Sequence, residues 1–132
     1  MNTPSTNKQV ALRFFDAIRK GDVQGMGDLM TDDAVWWVSP TTKNSGTHQK
    51  KDFLELVPRL FAQADGPFEL AIDDVTAEDN RVSVTAKGNV KLKSGKTYAN
   101  EYHFLFKFKD GKISMGKEYS DSAHVNDVLG EL

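Results

Sequence analysis

The chain of 132 residues is long enough for one compact domain, and its hydrophobic content of 39% is sufficient for a buried core. The formal net charge of −2 argues against nucleic-acid binding, and no stretch rich in lysine and arginine indicates a membrane-surface helix. The chain contains no cysteine, which excludes disulfides, thiolate metal sites and cysteine nucleophiles. Because no apolar run resembles a signal peptide or a membrane span, we expect a single soluble, cytoplasmic domain over residues 1–132.

The first half of the chain predicts three helices. Thr6 begins a pattern typical of a helix N-terminal capping box, and Gly21 is typical of the residue that follows a helix. Apolar residues recur between them at helical spacing. A short second helix is predicted over residues 22–30, and a third over residues 50–64.

The second half of the chain alternates between apolar and polar residues, which is typical of strands. Strands are predicted over 34–38, 68–75, 81–92, 98–109 and 112–121. Residues 41–48 are predicted to be a polar loop, and the tail after residue 122 shows no clear pattern. Helices followed by a strand meander predict an α+β fold, with about three N-terminal helices packed on a curved, mostly antiparallel sheet.

The Asp110-Gly111 dipeptide predicts a two-residue hairpin turn. If each residue of one strand pairs with one residue of the other, the two residue numbers of every pair have the same sum as those of Lys109 and Lys112. His103 then lies opposite Glu118, and on the same face Leu105 pairs with Gly116 and Glu101 with Ser120. The other face carries an aromatic row, which consists of Tyr102, Phe104, Phe106 and Phe108.

The two faces of this hairpin allow two arrangements. In the first, the aromatic row packs against the helices and the polar face meets solvent. In the second, His103 and Glu118 line a cavity beneath the helices, and a second subunit covers the aromatic row. A carboxylate beside an imidazole either favours the imidazolium or orients the neutral ring as a general base.

The fragments "RKGD", "TDDAVWW" and "FKDGKI…KEYSD", in this order and spacing, resemble the nuclear transport factor 2-like superfamily, and the chain looks closest to its SnoaL-like members. The resemblance implies a cone-shaped half-barrel that encloses a mostly apolar ligand pocket, and dimers that form through the outer sheet face. It therefore implies the second arrangement, in which Glu101, His103 and Glu118 lie inside the pocket and the aromatic row faces a partner subunit.

The catalytic sets of two similar enzymes are incomplete in this sequence. The base and the helix-one tyrosine of ketosteroid isomerases fall at Val38 or Ser39 and at Phe14, and the second oxyanion donor falls at His103. For limonene epoxide hydrolases, one carboxylate falls at Glu118, whereas the remaining positions fall near Trp36, Val38, Thr85 and Lys87. SnoaL-like cyclases and scytalone dehydratase-type members use acids or histidine with acids, and they fit His103 and Glu118 better.

These comparisons predict a small-molecule pocket protein. If it is an enzyme, it performs cofactor-free isomerisation, cyclisation, dehydration or hydrolysis with His103, Glu118 and Glu101 as the catalytic residues. The predicted ligand-binding residues are Phe14, Trp36, Val38, Lys87, Leu105, Gly116 and Ser120. No metal and no cofactor is expected, and the expected partners are a small apolar or partly polar organic ligand and a second copy of the chain. The alternative is a non-catalytic ligand-binding or protein-interaction module of the same fold.

The position of Lys87 depends on the turn at residues 93–96. A two-residue loop places Ala86 on the face of His103, whereas a loop with one extra residue places Thr85 and Lys87 there. The alternating apolar residues of the preceding strand do not distinguish the two possibilities.

Overall fold

The computed structural model describes residues 3–130. Its helices and strands follow in the order α1 (Pro4–Lys20), α2 (Val23–Asp28), β1 (Met30–Val38), β2 (Gly46–Gln49), α3 (Lys50–Gln63), β3 (Glu69–Glu78), β4 (Arg81–Lys91), β5 (Thr97–Lys109), β6 (Lys112–Ser120) and α4 (Ser122–Leu129). The strands form one sheet in the order β2-β1-β6-β5-β4-β3, in which only β1 and β6 pair in parallel. The predicted α+β half-barrel fold is confirmed.

Helix α1 begins three residues earlier than the sequence pattern indicated. Thr3 is the N-cap, and its hydroxyl accepts a hydrogen bond from the Thr6 amide at 3.1 Å, so Thr6 is the third residue of the helix and not its cap. Pro4 fits the first turn because its missing N–H would have no partner inside the helix. Gly21 ends the helix as predicted, with a φ of 66° that glycine adopts without strain.

Two elements were not predicted from the sequence. Strand β2 lies in the expected polar loop, where four residues pair with β1 at the edge of the sheet. Helix α4 lies in the C-terminal tail, begins after the N-cap Asp121 and has no buried residue. Both elements are short and partly solvent-exposed, so neither produces a strong hydrophobic period in the sequence. None of the helices within residues 3–130 is long and apolar enough to cross a membrane.

A β-bulge overturns the predicted register of the last hairpin. The turn is correct, because Lys109 pairs with Lys112 and Phe108 with Ile113, but the register then shifts by one residue. Ser114 is the extra residue, and its hydroxyl donates a hydrogen bond to the Lys107 carbonyl at 3.2 Å.

Beyond the bulge, every β6 residue faces the side opposite to the predicted one. His103 pairs with Tyr119 and Phe104 with Glu118, so the predicted pair of His103 and Glu118 does not form. The pairs of Leu105 with Gly116 and of Glu101 with Ser120 are wrong for the same reason. Counting pairs from the turn assumes that each residue of β5 lies opposite one residue of β6. The bulge adds a residue to β6, so the assumption fails beyond it.

The aromatic row of β5 faces the helices, so the first of the two arrangements is the correct one for it. Phe104, Phe106 and Phe108 are buried, and the Phe15 ring packs edge-on against Phe104 and Phe106, with ring centroids 5.1 Å and 5.6 Å apart. The implied contact of this row with a partner subunit is therefore wrong. Helix α1 carries large apolar side chains that need an apolar sheet face, and the aromatic row provides it.

The outer sheet face carries four of the predicted site residues. His103 is exposed, and its Nε2 lies 2.6 Å from the Ser83 hydroxyl. The turn at 93–95 contains the extra residue, since the Leu92 amide bonds to the Lys96 carbonyl, and Lys87 therefore lies opposite Glu101. The Lys87 ammonium is 4.0 Å from the Glu101 carboxylate. Leu105 shares this face, so none of the four lines the interior.

Candidate functional site

A cavity of about 200 Å³ lies between the inner face of the sheet and helices α3 and α4. Its walls are mainly apolar and include Trp36, Phe53, Phe68 and Leu70. Polar residues line it in two groups. Strands β5 and β6 contribute Tyr98, Tyr102, Glu118 and Ser120, and the segment between β1 and β2 and the helices α3 and α4 contribute Thr42, Lys43, Asn44, Arg59 and Asn126. An apolar chamber with a few convergent polar groups is the usual form of a small-molecule site.

Glu118 is the carboxylate that residues 3–130 contribute to the cavity. The bulge turns its side chain inward, and the indole Nε1 of Trp36 donates a hydrogen bond to its Oε1 at 3.2 Å. Burial raises the pKa of Glu118 from its ordinary value of 4.5 to about 6, although the Trp36 bond and the charge of His48 lower it. A carboxyl with this pKa exchanges protons near neutral pH, which suits a general acid or base.

Trp36 is held in place by two aromatic rings that pack against it and against each other. Its ring lies 4.2 Å from Phe53 and 5.7 Å from Phe14 between ring centroids, and both contacts are stacked. Phe14 is fully buried and does not line the cavity, so it supports Trp36 from behind. Gly116 faces the same indole, and a Cβ at that position would overlap the Trp36 ring. The missing side chain of Gly116 therefore allows the indole to reach Glu118.

Two tyrosine hydroxyls form the second polar feature of the cavity. The Tyr98 and Tyr102 hydroxyl oxygens are 2.6 Å apart, and the Asn100 amide nitrogen donates to the Tyr98 oxygen at 3.1 Å. Burial raises the pKa of Tyr98 to about 12 and that of Tyr102 well above its ordinary value, and the charge of Glu118 acts in the same direction on both. Both hydroxyls therefore stay protonated at neutral pH, and since one of them donates to the other, the pair leaves one proton for a further acceptor.

Helix α4 closes one side of the cavity. Val125, Asn126 and Leu129 contribute to the lining. The Asn126 side chain donates to the Thr41 carbonyl at 2.7 Å, and His124 Nε2 accepts a hydrogen bond from the Ala99 amide at 3.0 Å. The unpredicted tail is thus part of the pocket wall.

The structure brings together only some of the predicted site residues. Glu118, Trp36, Val38 and Ser120 line the cavity, and Phe14 and Gly116 position Trp36. His103, Glu101, Lys87 and Leu105 lie outside it, as described above. Sequence reasoning missed Tyr98, Asn100 and Tyr102, although their even numbers place them on one strand face with the aromatic row. No group of three or more His, Cys, Asp or Glu side chains within residues 3–130 is arranged to hold a metal ion.

Residues 11–115 match the family described as the SnoaL-like domain, which covers more than half of the chain. The chain belongs to the SnoaL-like family. A search of curated proteins gave no match. The family and the cavity together support a small-molecule-binding domain.

Solved structures with the same fold have low sequence identity to the chain. Bal32a, from a soil-derived mobile gene cassette, has a TM-score of 0.85 and 20% identity over 98% of this chain and 100% of its own. A nuclear transport factor 2-like protein from Burkholderia xenovorans has a TM-score of 0.77 and 21% identity over 95% and 96%. TerC, co-crystallised with polyporic acid, has a TM-score of 0.81 and 19% identity over 94% and 98%. At these identities the comparison establishes the fold alone.

Proposed function

We propose that the protein is a cofactor-free enzyme that moves a proton on a small, largely apolar organic ligand, with Glu118 as general base or acid. The reaction class is isomerisation, cyclisation, dehydration or hydrolysis. The observation that carries the proposal is the Glu118 carboxyl, the one that residues 3–130 place in the apolar cavity, held by Trp36 and with a pKa raised to about 6. General bases of this kind contribute about 10²–10⁴-fold to a rate.

Glu118 replaces the pair that the sequence suggested. His103 lies on the outer face, where its ring bonds to Ser83, and its side chain therefore cannot share a proton with Glu118. Glu101 is exposed beside Lys87. The acid–base role therefore belongs to Glu118, and the hydrogen-bonded pair of Tyr98 and Tyr102 supplies a hydroxyl donor to the same cavity.

The size of the cavity limits the ligand. A cavity of roughly 150 Å³ accommodates benzene, and this one measures about 200 Å³. A monocyclic or small bicyclic compound therefore fits. The structural relative TerC, which was co-crystallised with polyporic acid, supports an organic ligand in this fold.

Deuterium exchange tests the proposal without knowledge of the natural substrate. We would incubate β-tetralone, a small bicyclic ketone with acidic α-hydrogens, with the protein in deuterated buffer and follow the loss of its α-proton signals by NMR. We expect the wild type to accelerate exchange, Glu118→Gln to lose the acceleration by about 10²-fold or more, and His103→Gln to retain it. Acceleration that survives Glu118→Gln would overturn the assignment.

A non-catalytic binding module is the second candidate function. It is favoured by the positions that carry the base and the helix-one tyrosine in ketosteroid isomerases, because neither Val38 nor Ser39 has a carboxylate and Phe14 has no hydroxyl. Saturable binding of β-tetralone to the wild type without any exchange would favour this candidate over the enzyme.

We also propose that two copies associate through the outer sheet face and that the protein acts in the cytoplasm. On this face the Trp37 and Tyr119 rings lie 5.0 Å apart, with the Lys117 ammonium 4.7 Å from the centre of the Trp37 ring. Among the residues that the structure describes, Tyr119 is the large hydrophobic side chain that is exposed, at 41%. Sedimentation of a Tyr119→Lys variant as a monomer, beside a dimeric wild type, would support the proposal, and a monomeric wild type at micromolar concentration would contradict it.

A further inference from the structure

The side-chain amide of Asn100 has a fixed orientation. Asn100 is 3% exposed, and its Oδ1 accepts a hydrogen bond from the Asp121 amide at 2.9 Å. Its Nδ2 donates to the Asp121 carbonyl at 3.2 Å and to the Tyr98 hydroxyl oxygen at 3.1 Å. A backbone N–H can only donate and a carbonyl can only accept, so exchanging the two ends of the amide would break both bonds to Asp121. Asn100 is therefore a donor toward Tyr98.

The Asn100 donor determines which hydroxyl donates in the hydrogen bond between Tyr98 and Tyr102. Tyr98 is 4% exposed, and its oxygen already accepts a hydrogen bond from Asn100. Within residues 3–130, the Tyr98 proton has one hydrogen-bond acceptor, the Tyr102 oxygen, which lies 2.6 Å from the Tyr98 oxygen. In either direction, one of the two hydroxyl protons lacks an acceptor within residues 3–130. An unused proton costs more at Tyr98, which is buried and already accepts from Asn100, than at the half-buried Tyr102, so Tyr98 donates to Tyr102. The proton of Tyr102 then has no acceptor among the hydrogen bonds within residues 3–130.

The Tyr102 hydroxyl proton can be donated into the cavity. Tyr102 lines the cavity, and no hydrogen bond within residues 3–130 uses its proton as a donor once Tyr98 donates to it. Gly88 lies beside the Tyr102 ring, and a Cβ there would approach the ring to 3.0 Å, so the missing side chain leaves the ring in place. We infer that Asn100 is the positioning residue of the site and that it makes Tyr102 present an O–H donor to the ligand.

The Tyr102 donor, together with the Glu118 carboxyl, specifies the chemical class of the ligand. A fixed O–H donor matches an acceptor oxygen, and Glu118 on the neighbouring strand matches a hydrogen to be removed. A small cyclic ketone or related carbonyl compound with an α-hydrogen carries both features. The inference rests on the proposed function for the role of Glu118, whereas the donor role of Tyr102 depends only on the hydrogen bonds around Asn100.

Two ligands that differ in one oxygen test the inference. β-Tetralone carries a carbonyl, and tetralin is the same bicycle without it. We would measure the dissociation constants of both by NMR titration of the wild type, Tyr102→Phe and Tyr98→Phe. We expect the wild type to prefer β-tetralone by about tenfold, the value of one hydrogen bond. Tyr102→Phe should lose this preference with unchanged affinity for tetralin, and Tyr98→Phe should keep it.

The opposite direction of the hydrogen bond between Tyr98 and Tyr102 makes the opposite prediction. If Tyr102 donates to Tyr98, the preference is lost in Tyr98→Phe and survives in Tyr102→Phe, which would overturn the inference. Asn100→Asp supplies an acceptor in place of the donor, so we expect it to abolish the tenfold preference while circular dichroism and tetralin binding show a folded cavity. A preference that persists in a folded Asn100→Asp protein also overturns the role of Asn100.

The same titrations separate this inference from the proposed function. If both ligands bind without preference but exchange still depends on Glu118, the donor role fails and the acid–base role stands. If the preference follows Tyr102 but no exchange is catalysed, the donor role stands and the enzyme proposal fails. If neither ligand binds the wild type, both are wrong.

Discussion

Trp36 and Glu118 are joined across the parallel strands β1 and β6 by a hydrogen bond of 3.2 Å between the indole Nε1 and the carboxylate. The bond connects the most aromatic part of the core with the acid of the cavity. It stabilises the ionised carboxylate, whereas burial destabilises it more strongly, and the pKa consequently rises to about 6.

The raised pKa of Glu118 predicts a specific pH dependence of stability. The folded protein holds the Glu118 proton more tightly than the unfolded chain, so this group contributes stability at low pH and loses it as the pH rises from 4.5 through about 6. The loss amounts to about 2 kcal/mol. We expect Glu118→Gln to remove this part of the pH dependence of the free energy of unfolding, measured by urea denaturation across this range.

The control for this measurement is Glu101→Gln, which removes an exposed acid from the outer face. It should leave the difference between low and high pH as in the wild type. A Glu118→Gln profile that runs parallel to the wild-type profile would contradict the raised pKa.

The neighbouring tryptophans provide a matched pair of variants. Trp36→Phe removes the donor to Glu118 but keeps an aromatic ring in contact with Phe14 and Phe53. Because this bond lowers the pKa of Glu118, we expect the pKa to rise further in Trp36→Phe. Trp37→Phe, which changes the outer face, should leave it unchanged. Carbon-13 NMR titration of the Glu118 carboxyl measures both, and equal pKa values in the two variants would argue against the bond.

The sequence predicted the fold well because its signals are local. The Gly21 stop, the Asp110-Gly111 turn and the alternating strands depend on residues close together in the chain. The bulge at Ser114 does not. Beyond it, Gly116 faces the Trp36 indole of a different strand, a contact between residues far apart in the chain.

The same reason explains the errors in the predicted site. Glu118, Trp36 and Ser120 were assigned to the cavity, but His103 was paired with Glu118 because the bulge was not counted. Tyr98 and Tyr102 were overlooked because the aromatic row was assigned to the outer face. One undetected residue in β6 thus changed the partner of every side chain beyond it.

Gly116 is predicted to be a residue whose replacement destabilises the core. In Gly116→Ala the new methyl group overlaps the Trp36 indole, so the ring must move or the strands must separate. Overpacking of this kind costs about 1–3 kcal/mol. We expect the midpoint of urea denaturation to fall accordingly.

A second substitution tests whether the overlap with Trp36 is the cause. Phenylalanine at position 36 is smaller, so Trp36→Phe combined with Gly116→Ala should be less destabilised than the sum of the two single variants. Strict additivity would show that the glycine matters for another reason, such as its backbone.

The last prediction concerns how α4 is attached to the cavity wall. His124 Nε2 accepts a hydrogen bond from the Ala99 amide at 3.0 Å, and its ring stacks on Tyr98 with centroids 5.6 Å apart. His124→Phe keeps the stacking but removes the acceptor, so the Ala99 amide loses its partner. We expect its hydrogen exchange to accelerate by about tenfold, the equivalent of one hydrogen bond. His48→Phe, which alters a histidine on β2, should leave this amide unchanged. Equal Ala99 exchange rates in wild type and His124→Phe would show that stacking on Tyr98, rather than the hydrogen bond, holds α4 in place.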